Sequence, residues 1–147
     1  MRKSFLLPQS SSALPDRKAD LINYLWPRFL EYGKDLCFMK SQDRICFGEL
    51  VVDLVLYHRG LRCLVPVLLG RGVIRQAQLD KMERIIYFYT AEDRRDSGGN
   101  PPFGIIANRT RDSWLVDLCS YQDSVDFYDP DIEREIPSLE QLQKILG

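Results

Sequence analysis

The sequence predicts an α/β domain, on three grounds. Apolar residues recur at helical spacing in three segments, β-favouring residues gather in five short runs, and helices and runs of strands succeed one another along the chain. A length of 147 residues suits one domain. The 45% hydrophobic and 28% charged composition is that of a folded protein and excludes a disordered chain. No apolar run approaches the roughly 20 residues of a membrane-spanning helix, and the N-terminus lacks a signal-peptide core. The expected location is therefore cytoplasmic.

The elements follow in order. Residues 1–15 are rich in Ser and Pro and are expected to be a flexible N-terminal tail, leaving residues 16–147 as the domain. In residues 16–32, Leu21, Ile22, Leu25, Phe29 and Tyr32 fall on one helical face, and Gly33 stands where a C-terminal cap belongs. Pro27 removes a backbone donor inside this pattern and should kink or restart the helix. Residues 36–45 and 50–58 read as a hairpin around Gly48, and residues 61–69 as a third strand after Arg59-Gly60. The period then changes: Ile74, Met82, Ile85, Ile86 and Tyr89 share a helical face within residues 74–91. After the breaker-rich loop at 97–102, residues 103–107 and 114–120 are candidate strands, and residues 139–146 a closing helix.

Charge is balanced overall at −1 but not along the chain. Residues 58–84 carry a local +4, and residues 123–140 a local −6. A basic stretch can track a phosphate backbone, whereas an acidic one repels it. Cys37, Cys46, Cys63 and Cys119 are irregularly spaced with no C-x-x-C pair, which argues for reduced thiols rather than a zinc site.

Asp53 is the residue that stands out. Strict alternation along residues 50–58 sets Leu50, Val52, Leu54 and Leu56 on one face, and Val51, Asp53, Val55 and Tyr57 on the other. A carboxylate among apolar neighbours is costly unless a partner neutralises it. At a sheet edge it would reach water or an Arg; elsewhere it would serve a cation.

A family resemblance bears on that choice. The runs Leu30-Glu31-Tyr32-Gly33, Val52-Asp53-Leu54-Val55-Leu56-Tyr57-His58-Arg59-Gly60-Leu61-Arg62, Asn100-Pro101-Pro102-Phe103-Gly104-Ile105-Ile106-Ala107 and Pro137-Ser138-Leu139-Glu140-Gln141-Leu142 resemble the nuclease domain of the YhcG-like bacterial proteins, in the PDDEXK superfamily. The resemblance runs from about Leu21 to the C-terminus, and the helical domain usual upstream in that family is not expected here, the short tail standing in its place. It implies a restriction-endonuclease-like fold with a central mixed β-sheet flanked by helices, DNA as partner, and Mg²⁺ as cofactor for phosphodiester hydrolysis. In such a site an Asp and a Glu on neighbouring strands hold the metal, and a Lys two residues beyond the Glu supports the nucleophile.

Mapped residue by residue, the chain keeps Asp53 and the helix carboxylate Glu31, while the Glu-x-Lys positions fall on Leu68 and Gly70. The resemblance therefore implies a DNA-binding pseudoenzyme, catalytically impaired, with Asp53 its remaining metal position. The alternative is an active Mg²⁺-dependent endonuclease rebuilt from Asp53, Lys81 and Glu83, with Glu31 in support. A third reading is an interaction module, with a homodimer or protein partner. His58, Arg59, Arg62, Arg71 and Arg75 are the candidate phosphate contacts. Two further expectations follow: Asp53→Asn should leave folding unharmed, and Leu68→Glu with Gly70→Lys should restore a metal site on Asp53's side of the sheet.

Overall fold

The computed structural model describes residues 17–32, 35–93, 101–111, 113–120 and 139–146. The expected tail, the acidic run up to Ser138 and the loop at 94–100 lie outside the described residues. Three helices and five strands are seen: α1 (Lys18–Tyr32), β1 (Leu36–Ile45), β2 (Leu50–His58), β3 (Cys63–Arg71), α2 (Gln76–Asp93), β4 (Phe103–Arg109), β5 (Trp114–Ser120) and α3 (Leu139–Leu146). The third strand and second helix each lie about two residues later than the sequence pattern suggests, because the apolar residues Leu61 and Ile74 are used in the flanking turns.

The strands form one sheet in the order β1-β2-β3-β4-β5. All neighbours are antiparallel except β3 and β4, which α2 joins as a crossover. This is the mixed sheet with flanking helices that the resemblance implies. Helix α1 lays Leu21, Ile22, Leu25 and Phe29 on one face of the sheet, together with Leu142 and Leu146 of α3. Helix α2 covers the other face with Met82, Ile85, Ile86 and Tyr89. Fully burying a side chain such as Phe29 or Leu25 contributes on the order of 2–3 kcal/mol, so both layers are held chiefly by apolar contact.

Helix α1 does not end at Pro27. Pro27 and Asn23, whose carbonyl loses its donor, are both accessible to water, which can replace the missing bond. Strand β3 likewise runs through Pro66, which pairs with Val55 one residue before the β3–β4 ladder begins at Val67. All four cysteines are free. Burial, and after it the Asp117 charge, pushes the Cys119 thiol up to about 11.

Two irregularities set up the site. The β2–β3 ladder runs from His58–Cys63 to Leu54–Val67 and stops there, while β3 continues beside β4 from Val67 to Arg71. Strand β3 thus changes its main-chain partner at Val67, and Asp53 is the first β2 residue beyond the ladder. Strict alternation also fails here: Leu50, Val52 and Val55 join the cluster under α2, whereas Leu54 and Leu56 join the cluster under α1. Gln42, between the paired residues Ser41 and Asp43, takes a left-handed conformation with φ of 49°. Its partner strand turns over at the matching place, Asp53.

Candidate functional site

Asp53 is only 3% exposed, so each carboxylate oxygen needs a partner. The Leu69 backbone N–H donates to Oδ2 at 2.8 Å, filling the place that the ended ladder leaves open. The Lys18 ammonium, at the start of α1, lies 3.2 Å from Oδ1. Both oxygens are therefore engaged by donors of the chain itself. These two contacts argue against the expectation that Asp53→Asn leaves folding unharmed, since a carboxylate engaged on both oxygens ties α1, β2 and β3 together.

Leu68 and Gly70, the positions where the resemblance looks for Glu and Lys, are closed as well. Leu68 is 3% exposed and packs in the cluster under α2 with Val55, Met82 and Ile106. A Cβ added at Gly70 would lie 2.6 Å from Asn108 Oδ1 and 2.7 Å from Gln78 Nε2. Those two amides are pinned: Gln78 Nε2 donates to Asn108 Oδ1 at 2.8 Å, and Asn108 Nδ2 returns a bond to Gln78 Oε1 at 2.9 Å. Asn108 also donates to the Gly72 carbonyl at 3.1 Å, and Gln78 Oε1 accepts from the Arg75 N–H at 3.2 Å, which caps α2. The expectation that Gly70→Lys could be fitted is corrected: the lysine stem would have to break this network. Leu68→Glu would set a carboxylate among apolar side chains.

The remaining carboxylates do not converge on Asp53. Glu31 is exposed in the last turn of α1, while Lys18 in its first turn touches Asp53. Thirteen helical residues separate them, an axial distance of about 20 Å, so Glu31 is at the wrong end of the helix. Glu83 is exposed and Lys81 half-buried on α2, which covers the face of the sheet opposite to α1, whose Lys18 meets Asp53. Among the described residues no group of three or more His, Cys, Asp or Glu side chains gathers where it could hold a metal ion. The donor set therefore does not fit Mg²⁺, which needs oxygen ligands where Asp53 meets an ammonium and an N–H.

The basic residues separate into two groups. Arg59 and Arg62 are exposed at the β2–β3 turn, where Arg59 lies 3.5 Å from Asp35 Oδ1. Arg71 and Arg75 are exposed at the far end of β3. The nine residues of β3 span about 27 Å, so the two groups cannot form one patch. His58 is corrected as a phosphate contact: it is 1% exposed, its Nδ1 accepts the Leu61 N–H at 3.0 Å, and its ring meets Phe103 edge-on. It holds the turn that presents Arg59 and Arg62.

Lys18, Gln78, Asn108 and Arg109 belong to this site although no local pattern in the sequence marks them. Arg109 pairs in register with Arg71 and, with exposed Arg111, extends the basic end of the sheet. Asn108-Arg109-Thr110 matches a glycosylation sequon, but Asn108 is buried and its amide is turned inward to Gln78. Lys18 meets a residue 35 positions away, beyond the reach of any spacing rule.

Two comparisons bear on this geometry. A family model described as the YhcG PDDEXK nuclease domain matches residues 5–145. The protein of Escherichia coli strain K12 named "Putative nuclease YhcG" is 33% identical over 93 residues, 62% of this chain. That match covers 24% of the E. coli protein, so the chain corresponds to about a quarter of its relative's length. The family match covers nearly the whole chain and agrees with the mixed sheet and its flanking helices. By fold and by sequence, the chain belongs to the YhcG family of PDDEXK nuclease domains.

Proposed function

We propose that this domain binds the phosphate backbone of DNA and does not hydrolyse it. The observation that carries the reading is the closed carboxylate: Asp53 is held by Lys18 and the Leu69 amide, where a nuclease of this fold would hold a metal. Leu68 and Gly70, tightly packed in place of the Glu and Lys, support the loss of hydrolysis. The cluster of Arg71, Arg75, Arg109 and Arg111 at the same end of the sheet supports retained phosphate contact. With a net charge of −1 for the whole chain, binding is expected to be weak and without sequence preference.

The test pairs two assays on the full chain. Supercoiled plasmid incubated with Mg²⁺ or Mn²⁺ should remain intact. Duplex DNA should bind at low salt, and Arg71→Glu or Arg75→Glu should shallow the log–log salt slope by about 0.9 for each phosphate no longer neutralised. Metal-dependent nicking that Asp53→Ala abolishes would restore the working nuclease. Absence of salt-dependent binding would favour the interaction module.

A further inference from the structure

We propose that Phe47, at the tip of the β1–β2 hairpin, is a base-stacking residue for single-stranded nucleic acid lying along the basic end of the sheet. The inference rests on the nucleic-acid reading above and adds a second contact chemistry to it. Cys46, Phe47 and Gly48 are three successive left-handed residues, with φ of 53°, 58° and 86°. Gly48 adopts such a conformation freely, whereas Phe47 and Cys46 do so against their local preference, where Asn or Gly would be favoured. The turn is nevertheless well tied. The Gly48 N–H donates to the Ile45 carbonyl and the Glu49 N–H to the Cys46 carbonyl, each at 3.1 Å. Arg84 of α2 meets Glu49 at 3.5 Å and braces the tip from behind.

The result is a fully exposed phenyl ring, at 110% of its reference area, on a short bonded turn. An aromatic ring held so far out of the core has no packing role in the fold. Its surroundings decide what it meets. Gly48 and Glu49 beside it are exposed and not apolar, so the tip offers no apolar patch for a protein interface core. Exposed Arg44 precedes the tip on β1. Because β3 runs antiparallel to β2, Arg71 closes β3 at the same end of the sheet as the β1–β2 turn. Arg109 follows beside Arg71 on β4. Cations therefore stand at the hairpin, on Arg44, and at the same end of the sheet on the neighbouring strands β3 and β4, where Arg71 and Arg109 are register partners. An aromatic face next to a row of cations is the combination that binds single strands, with bases stacked on the ring and phosphates on the cations.

The experiment uses the full chain and a single-stranded oligonucleotide carrying 2-aminopurine, followed by anisotropy and by the fluorescence of the reporter base. Phe47→Ala is expected to weaken binding about five- to a hundredfold and to remove the reporter's stacking signal, while the salt slope stays unchanged. Phe47→Trp is expected to retain both. Phe47→Asn, which suits the left-handed turn, should fold at least as stably as the wild type and show the same drop in affinity, which separates stacking from folding. Unchanged affinity in Phe47→Ala, with salt-dependent binding intact, would overturn the stacking role and leave the phosphate-binding reading in place. A dimer seen by sedimentation that Phe47→Ala dissolves, with oligonucleotide affinity unchanged, would reassign the tip to a second copy of the chain. No binding of any oligonucleotide by the wild type at low salt would overturn both readings together.

Discussion

The two ends of the β2–β3 pair make different use of a buried polar side chain. At the turn, His58 accepts one N–H, from Leu61, and its ring meets Phe103. A ring whose Nδ1 accepts a backbone N–H closes a tight connection at little cost. At the opposite end the strands have parted, and Asp53 stands in for the missing ladder by accepting the Leu69 N–H. That carboxylate carries a charge the interior cannot tolerate alone, so the fold brings Lys18 from α1 to meet it. The gap between β2 and β3 thus needs a polar anchor whether or not chemistry happens there. An Asp at this place has a structural use of its own, independent of any chemistry.

The attempted repair is expected to disturb the Asp53 end most. Leu68→Glu with Gly70→Lys should destabilise by more than about 4 kcal/mol, because it buries a carboxylate among apolar side chains and disrupts the Asn108–Gln78 amide pair. Urea unfolding measures it. A stable double mutant that binds Mn²⁺ by calorimetry would show that the Asp53 end can still open into a metal site.

A smaller effect is expected from Asp53→Ala, about 2–4 kcal/mol, since the Leu69 N–H is left without its acceptor and the Lys18 pairing disappears with it. Lys18 is half exposed, so solvent screens the pair, and the coupling in a double-mutant cycle with Lys18→Met should be no more than about 1 kcal/mol. A stabilised Asp53→Ala protein would mean that the carboxylate is kept at a cost to folding, as a metal ligand would be.

His58→Ala should cost least, about 1–3 kcal/mol, from loss of the bond between the Leu61 N–H and Nδ1 and from the space left beside Phe103. Arg59 and Arg62 flank that turn, so the same variant distinguishes the two ends in function as well as in stability. Its DNA affinity should hold if the phosphate contacts lie at Arg71 and Arg75, and should fall if they lie at Arg59 and Arg62. Filter binding of the variant at low salt measures the difference.

Local spacing of apolar residues within a short window was enough to define the elements. The stripe of Leu21, Ile22, Leu25 and Phe29 and the hairpin of residues 36–58 emerge at the places their patterns set. Family motifs extended this to the mixed sheet and singled out Asp53, Leu68 and Gly70. What those positions do depends on contacts that only the folded chain brings together. Alternation placed Leu50 and Leu54 on one face, but the left-handed Gln42 and the end of the β2–β3 ladder turn the strand over between them. Glu31 shares a helix with the residue that touches Asp53, yet helical rise carries it to the far end. The Lys18–Asp53 and Gln78–Asn108 contacts join residues 35 and 30 positions apart, separations at which local spacing carries no information. Such pairs form only because burial leaves a charge or an amide unsatisfied until a distant partner reaches it.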